Sequence, residues 1–151
     1  MANKNNASDG TIGSWAKRCY FAGRALMDQA LRPHDLGATQ WYVLYQLASH
    51  GPTMQRELVR QLQVERATLS LVVASLVRKG LVEQVADAAD KRQKLLRLTA
   101  AGTALWAELP DLGFIHQAAF GDIPDPDIAT AIRVLRIATE RLTALSKGTD
   151  Q

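Results

Sequence analysis

Arg66, Ala67, Thr68, Ser70 and Leu71 lie in one short run, interrupted only by Leu69. A guanidinium donates two parallel hydrogen bonds to guanine, hydroxyls bond bases or phosphates, and small apolar groups touch a thymine methyl. Helical spacing separates this set from Leu69, Val72, Val73, Leu76 and Val77, which share the opposite face and must pack inward. The outward set is small or polar, so a helix carrying it can approach base edges closely, and the N–H groups at its start favour phosphate. Upstream, Gln55 and Arg56 open a shorter helical run and are placed to grip a phosphate backbone. Downstream, Lys91, Arg92 and Lys94 follow Asp87-Ala88-Ala89-Asp90 in a charged loop. Cations there can enter a narrow minor groove or hold phosphates. Arg92 has a second option, an ion pair with Asp87 or Asp90 that stiffens the loop.

The elements needed to position these groups are legible around them. Helices are expected over about 54–62 and 66–79, the second closed by Gly80. Leu81–Ala86 and Lys94–Leu98 are rich enough in Val and Leu to be strands. A helix-turn-helix followed by a β-hairpin is a winged helix, which sends one helix into a DNA groove and a basic hairpin toward a neighbouring groove. Charge agrees: residues 52–97 carry nine basic and five acidic side chains, a balance of +4, whereas residues 98–151 carry four and seven, a balance of −3. A basic middle on an acidic scaffold suits a DNA-facing module.

Outside this segment the chain reads as helix. From Thr11 to Leu31, Ile12, Trp15, Ala16, Cys19, Gly23, Leu26, Met27 and Ala30 recur at helical spacing, and Pro33 ends the run. Thr39 can cap a helix over about 40–49, closed by Gly51-Pro52. Thr99 can cap a long helix over about 100–119 that Pro110 should kink. Asp125-Pro126-Asp127 reads as a start with Asp125 as cap and proline at the first position, and the helix should run to about Lys147. The terminal helices carry Trp15, Trp106 and Phe120 on stripes that a winged helix cannot cover alone, so a two-fold homodimer is expected. The expected layout is a disordered tail over 1–10 and one domain over 11–147. Residues 39–99 form its winged helix, 11–33 and 100–147 form dimerisation helices, and the terminal Gly148-Thr149-Asp150-Gln151 frays. The fold class is mainly α with a small β-hairpin wing.

Several function classes are excluded. At 151 residues and 47% apolar composition the chain can bury a core, but no apolar run approaches the ~20 residues of a membrane span. The polar start MANKNNASDG has no signal-like apolar core, and a cytoplasmic location is expected. One cysteine rules out an internal disulfide framework and a thiolate zinc cluster, and His34, His50 and His116 lack metal-ligand spacing. Neither a nucleophile–base pair nor a phosphate loop is evident, so neither an enzyme nor a cofactor is expected.

Gln55-Arg56-Glu57-Leu58 with Leu62 and Val64, then Ala67-Thr68-Leu69-Ser70, Leu76-Val77-Arg78-Lys79-Gly80-Leu81-Val82 and Leu98-Thr99-Ala100-Ala101-Gly102, resemble the MarR family of bacterial regulators over about residues 12–147. The resemblance implies a homodimer joined by its terminal helices and binding double-stranded DNA at a palindromic operator, usually as a repressor. In many members a small aromatic or phenolic ligand releases the DNA. Three positions depart from the pattern. The wing has Ala89 where the family has a groove-entering arginine, Glu65 stands at a cap usually held by Ser or Asp, and Leu71 replaces a common basic residue.

For the sensor, a pocket between the dimer helices and the winged helix would draw on Tyr20, Arg24, His34, Trp41, Tyr42 and Tyr45, aromatic walls and a cation suited to an aromatic acid. Peroxide-sensing members of the family carry a reactive cysteine in the first helix. Cys19 sits there, but its place on the apolar stripe predicts a buried structural thiol, and Leu31 stands where those sensors have tyrosine. The alternatives to a ligand-responsive repressor are a redox repressor acting through Cys19 and a winged-helix protein adaptor with no DNA affinity.

Overall fold

The computed structural model describes residues 10–148. They form two compact units, one ending at Leu112 and one beginning at Gly113.

The first unit opens with α1 (Ile12–Leu31), capped by the Thr11 hydroxyl, which accepts the Ser14 N–H at 3.1 Å. A 3₁₀ turn (Arg32–His34) follows, ending on Asp35 in the left-handed region. Helix α2 spans Ala38–His50 and starts two residues earlier than Thr39 capping would place it. Its first N–H groups are satisfied otherwise: the Asp28 carboxylate accepts from Ala38 N at 2.7 Å, and Gln40 Oε1 accepts from Gly37 N at 3.1 Å. Thr39 is thereby left free to accept from α1. Helix α3 spans Gln55–Leu62 and α4 spans Arg66–Arg78, joined through Gln63, which takes the left-handed conformation that ends α3. Glu65 caps α4 without a side-chain hydrogen bond. At the other end the Leu81 N–H reaches Leu76 O at 3.0 Å and the Gly80 N–H reaches Val77 O at 2.9 Å, with Gly80 at φ +74°. This is a Schellman closure that needs glycine.

The hairpin strands are β2 (Val82–Ala86) and β3 (Lys94–Leu98), antiparallel with Glu83 opposite Arg97 and Gln84 opposite Leu96. The sheet has a third strand that the sequence reading missed. Thr53–Met54 forms β1 and pairs with Leu96 and Leu95, giving the order β1-β3-β2. Leu31, Val43, Leu44, Leu58, Leu69, Val73, Leu76, Val82 and Leu96 are buried, so every element from α1 to β3 except the 3₁₀ turn and the two-residue β1 contributes to one core. Val77, expected inward, is 39% exposed because α4 turns it past the edge of that core.

Helix α5 spans Ala100–Glu108. The single kinked helix expected over 100–119 is instead broken. Pro110 ends α5, and α6 (Gly113–Phe120) begins a separate helix in the second unit. Proline lacks the donor that would continue the ladder, and the residue before it is driven to extended backbone, as Leu109 is at ψ 146°.

The second unit continues with α7, Asp125–Gly148. Ile128 N–H bonds to Pro124 O at 3.3 Å, so the cap is Pro124 and the start lies one residue before the expected Pro126. The expected N-terminal tail falls almost wholly on residues 1–9, outside the described residues, and the expected C-terminal tail falls there too from Thr149 onward.

The burial expected of Cys19 is overturned: the thiol is exposed. So are Ile12, Trp15, Phe21 and Leu26 of α1, at 62, 57, 53 and 44%. Only Met27 and Leu31 of that helix enter the core, because α1 meets the rest of its unit only through its C-terminal half.

Gly102 packs against the base of the wing, where an added Cβ would stand 2.0 Å from the Leu81 carbonyl oxygen and 3.2 Å from Leu98. Backbone cannot yield as a side chain does, so Gly102→Ala should cost about 1–3 kcal/mol. That lowers the melting midpoint by roughly 2–4 °C per kcal/mol. An unchanged midpoint in a thermal melt would show that α5 does not bear on the wing as described.

Candidate nucleic-acid interface

Burial of Leu69, Val73 and Leu76 fixes how α4 rotates on the core. The same rotation leaves Arg66, Ala67, Thr68, Ser70 and Leu71 exposed together, with Leu71 at 74%. The five residues expected to meet base edges therefore share one open face. Arg66 opens the helix, beside N–H groups that no side chain caps.

Gln55 is placed differently from expectation. Its side chain is not free to grip phosphate, because Gln55 Oε1 accepts from Gln84 Nε2 at 2.7 Å and Gln55 Nε2 donates to Ser70 Oγ at 3.4 Å. It bridges α3, the reading face of α4 and wing strand β2. Arg56, beside it, is exposed. Gln84 was not anticipated. The signal for it is strand alternation, which puts it on the side of buried Val82, two residues earlier.

In the wing loop, Asp87 N–H donates to Gln93 O and Gln93 N–H donates to Asp90 O, each at 2.9 Å. The Asp90 carboxylate accepts from the Arg92 backbone at 3.0 Å and from its Nε at 3.3 Å. Arg92 thus takes the loop-stiffening option, with its side chain still 91% exposed. Lys91 and Lys94 are exposed and, among the described residues, have no carboxylate partner. Glu83 and Arg97 pair across the hairpin at 2.6 Å, which removes Arg97 from the free cations.

The far end of α4 is tied to the α1–α2 corner. Lys79 Nζ donates to the Asp35 carbonyl, lies 3.4 Å from the Asp35 carboxylate and contacts Gln40 Oε1 at 3.4 Å. Gln40 Nε2 donates to Ser75 Oγ at 3.0 Å. Next to Gln40, Thr39 Oγ1 accepts from Arg24 Nη2 at 2.5 Å, while Arg24 Nη1 donates to Tyr20 Oη at 3.4 Å.

The six candidate pocket residues fall into two groups and a remainder. Tyr20 and Arg24 meet Thr39 as described. Trp41 stacks on Tyr45 at 5.3 Å and meets Tyr42 edge-on at 5.2 Å. Trp106 of α5, expected only on a dimer face, joins them 5.5 Å from Trp41 and 6.1 Å from Tyr45. Tyr42 Oη lies 3.6 Å from Met27 Sδ. His34 shares no hydrogen bond or ring contact with the other five among the described residues. Arg24 is half-buried with neutral oxygens as its hydrogen-bond partners. No group of three or more metal-binding side chains occurs among the described residues, and none of their helices is long and apolar enough to cross a membrane.

Comparison with known proteins agrees with this arrangement. The family model described as MarR family matches residues 34–93, from the 3₁₀ turn to the end of the wing loop. The HTH-type transcriptional repressor NicR of Pseudomonas putida is 28% identical over 126 residues, which are 83% of this chain and 80% of NicR. A solved structure of Bordetella bronchiseptica BpsR, whose DNA binding is regulated by 6-hydroxynicotinic acid, superposes with a TM-score of 0.74 at 27% identity, covering 85% of this chain and 93% of that one. A variant of MarR from E. coli complexed with operator DNA gives a TM-score of 0.75 at 26% identity, covering 84% and 92%. The chain is similar to the MarR family of transcriptional regulators in sequence over residues 34–93 and in fold over most of its length.

Proposed function

We propose that this protein is a homodimeric, ligand-responsive repressor that binds a palindromic operator. The observation that carries the DNA reading is the open face of α4, where Arg66, Ala67, Thr68, Ser70 and Leu71 stand clear of the core, and the wing adds the exposed Lys91 and Lys94. In this reading α4 enters the major groove, with Arg66 on a guanine edge and Thr68 and Ser70 on bases or phosphate. Arg56 and Lys94 hold the backbone, and Lys91 takes the place of the missing arginine at Ala89. The exposed apolar face of α1 supports pairing of two chains. So does that of α7, where Ile132, Leu142 and Leu145 are 59, 67 and 69% exposed. Residues 11–33 and 100–147 then serve as the dimerisation helices, and two copies of α4 meet successive major grooves about one turn apart. Titration of duplex DNA against salt tests this. Lys91→Ala should weaken all DNA binding and reduce the log–log salt slope by about one, whereas Arg66→Ala should cost about 1–3 kcal/mol and relax sequence preference. Salt-independent binding, or none to any duplex, leaves the adaptor reading in its place.

The effector we propose is an aromatic acid. Arg24, half-buried and bonded among the described residues to the neutral oxygens of Tyr20 and Thr39, offers the charge, and the Trp41–Tyr42–Tyr45–Trp106 cluster offers flat apolar surface. The compound acting on BpsR, 6-hydroxynicotinic acid, has this chemistry and is the first probe. At a hundredfold excess over its Kd it should raise the melting midpoint by on the order of 5–10 °C. Arg24→Ala should abolish that shift and the accompanying release of DNA. A shift that survives Arg24→Ala would move the site elsewhere.

A second trigger is oxidation of Cys19, whose thiol is exposed in the single chain although it lies on the α1 face proposed for pairing, by peroxide to a sulfenic acid with release of water. Peroxide should then release DNA from the wild type and not from Cys19→Ser. Equal release from both would remove this trigger without touching the first.

A further inference from the structure

We propose that Gln84, on wing strand β2, is a positioning residue that sets base preference by acting through Gln55 on the Ser70 hydroxyl. The inference rests on the role given above to α4 as the reading helix. A primary amide has one end that only accepts and one end that only donates. Gln84 Nε2 donates to Gln55 Oε1 at 2.7 Å, which occupies the accepting end of Gln55. The donating end is thereby turned to Ser70 Oγ, 3.4 Å away. Ser70 Oγ then accepts a hydrogen bond from Gln55 and keeps its own O–H to donate on the open side of α4.

That direction matters for reading DNA. A lone serine hydroxyl serves either as donor or as acceptor, so it discriminates poorly. A hydroxyl already accepting from Gln55 presents its hydrogen outward. It suits guanine N7 or O6, adenine N7 and thymine O4, and with one of its two lone pairs already used it suits the cytosine amino group, itself a donor, less well. The wing strand is a firm base for such a relay. Val82 on the same side of β2 is buried, and Leu96, paired with Gln84 across the sheet, is fully buried.

Sequence selection from a randomised duplex pool tests the relay, with wild type, Gln84→Glu, Gln84→Lys, Ser70→Ala and the double variant Gln84→Glu/Ser70→Ala. The exchanged side chains are exposed, and matched circular dichroism and melting curves check the fold of each. Wild type should disfavour cytosine about tenfold at one position of each half-site. Gln84→Glu can only accept, so Gln55 must turn its NH₂ to it and its oxygen to Ser70. Ser70 then donates its O–H to Gln55 and meets DNA only as an acceptor, and preference at that position should move toward cytosine. Gln84→Lys can only donate and should keep the wild-type preference. Both exchanges alter overall affinity through charge, but only the first should reorder the bases. Ser70→Ala should flatten the position and make it blind to Gln84→Glu. Identical base rankings for wild type and Gln84→Glu would overturn the relay and leave α4 as the reading helix. So would a Gln84→Glu shift that persists without Ser70, or a Ser70→Ala variant that flattens no position. A wild type that enriches no sequence at all would overturn both.

Discussion

Three hydrogen bonds at Thr99 join the reading helix, the wing and α5, and the placement of the DNA-facing groups depends on them. The Thr99 hydroxyl donates to Gly80 O at 2.6 Å, where α4 has just ended, and accepts from Gly102 N–H at 3.0 Å, where α5 begins. The Thr99 N–H donates to Leu81 O at 3.1 Å, at the foot of the wing. One residue thus caps a helix and closes the hairpin onto the end of another helix. The missing Cβ of Gly102 lets α5 sit against the Leu81 carbonyl. Together with the left-handed Gly80, this fixes the angle at which the hairpin leaves α4.

Much of this frame was legible because it rests on local chemistry. Gly80, Thr99 and the Leu69–Val73–Leu76 spacing mark helix ends and faces through rules of conformation and period. The open face of α4 then follows from the buried one. What escaped the reading depends on partners distant in sequence. Thr53–Met54 is too short to carry a strand pattern and exists only because β3 offers an edge to it. The role of Gln55 could not be seen without Gln84, which folding brings beside it. Trp106 has a helical stripe position, but its ring partners Trp41 and Tyr45 lie on another helix. Pro110 was noticed, yet a kink and a break have the same sequence signature, and the outcome was set by the extended backbone at Leu109.

Cys19 shows a different limit on pattern. Helical spacing put it on an apolar stripe, and it does lie among Trp15, Ala16 and Gly23. The stripe predicts which face seeks burial, not whether the chain itself supplies the cover. Within its own unit α1 buries only Met27 and Leu31, so most of a correctly identified apolar face remains open. The same holds in the second unit, where α7 has no buried residue over its length. Helices of this kind gain their packing energy from outside the chain, which is the physical content of the homodimer proposed here.

The two ends of α4 are held by amides of the same chemical kind. At its far end Gln40 is fully engaged, with Gly37 N–H and Lys79 on its oxygen and Ser75 on its nitrogen. Thr39, one residue before it, is held by Arg24. At the reading end Gln55 is engaged by Gln84 and Ser70. A ligand that draws Arg24 from Thr39 would loosen the start of α2 beside Gln40. Were α4 to tilt in response, the change would be felt at Ser70 and, through Gln55, by the wing. Rigid helices carry displacement well, whereas an amide bridge holds only one hydrogen-bond direction at a time. In the reading proposed above, such an effector would act on the position of α4, and the Gln84–Gln55–Ser70 relay would decide which bases that position can read.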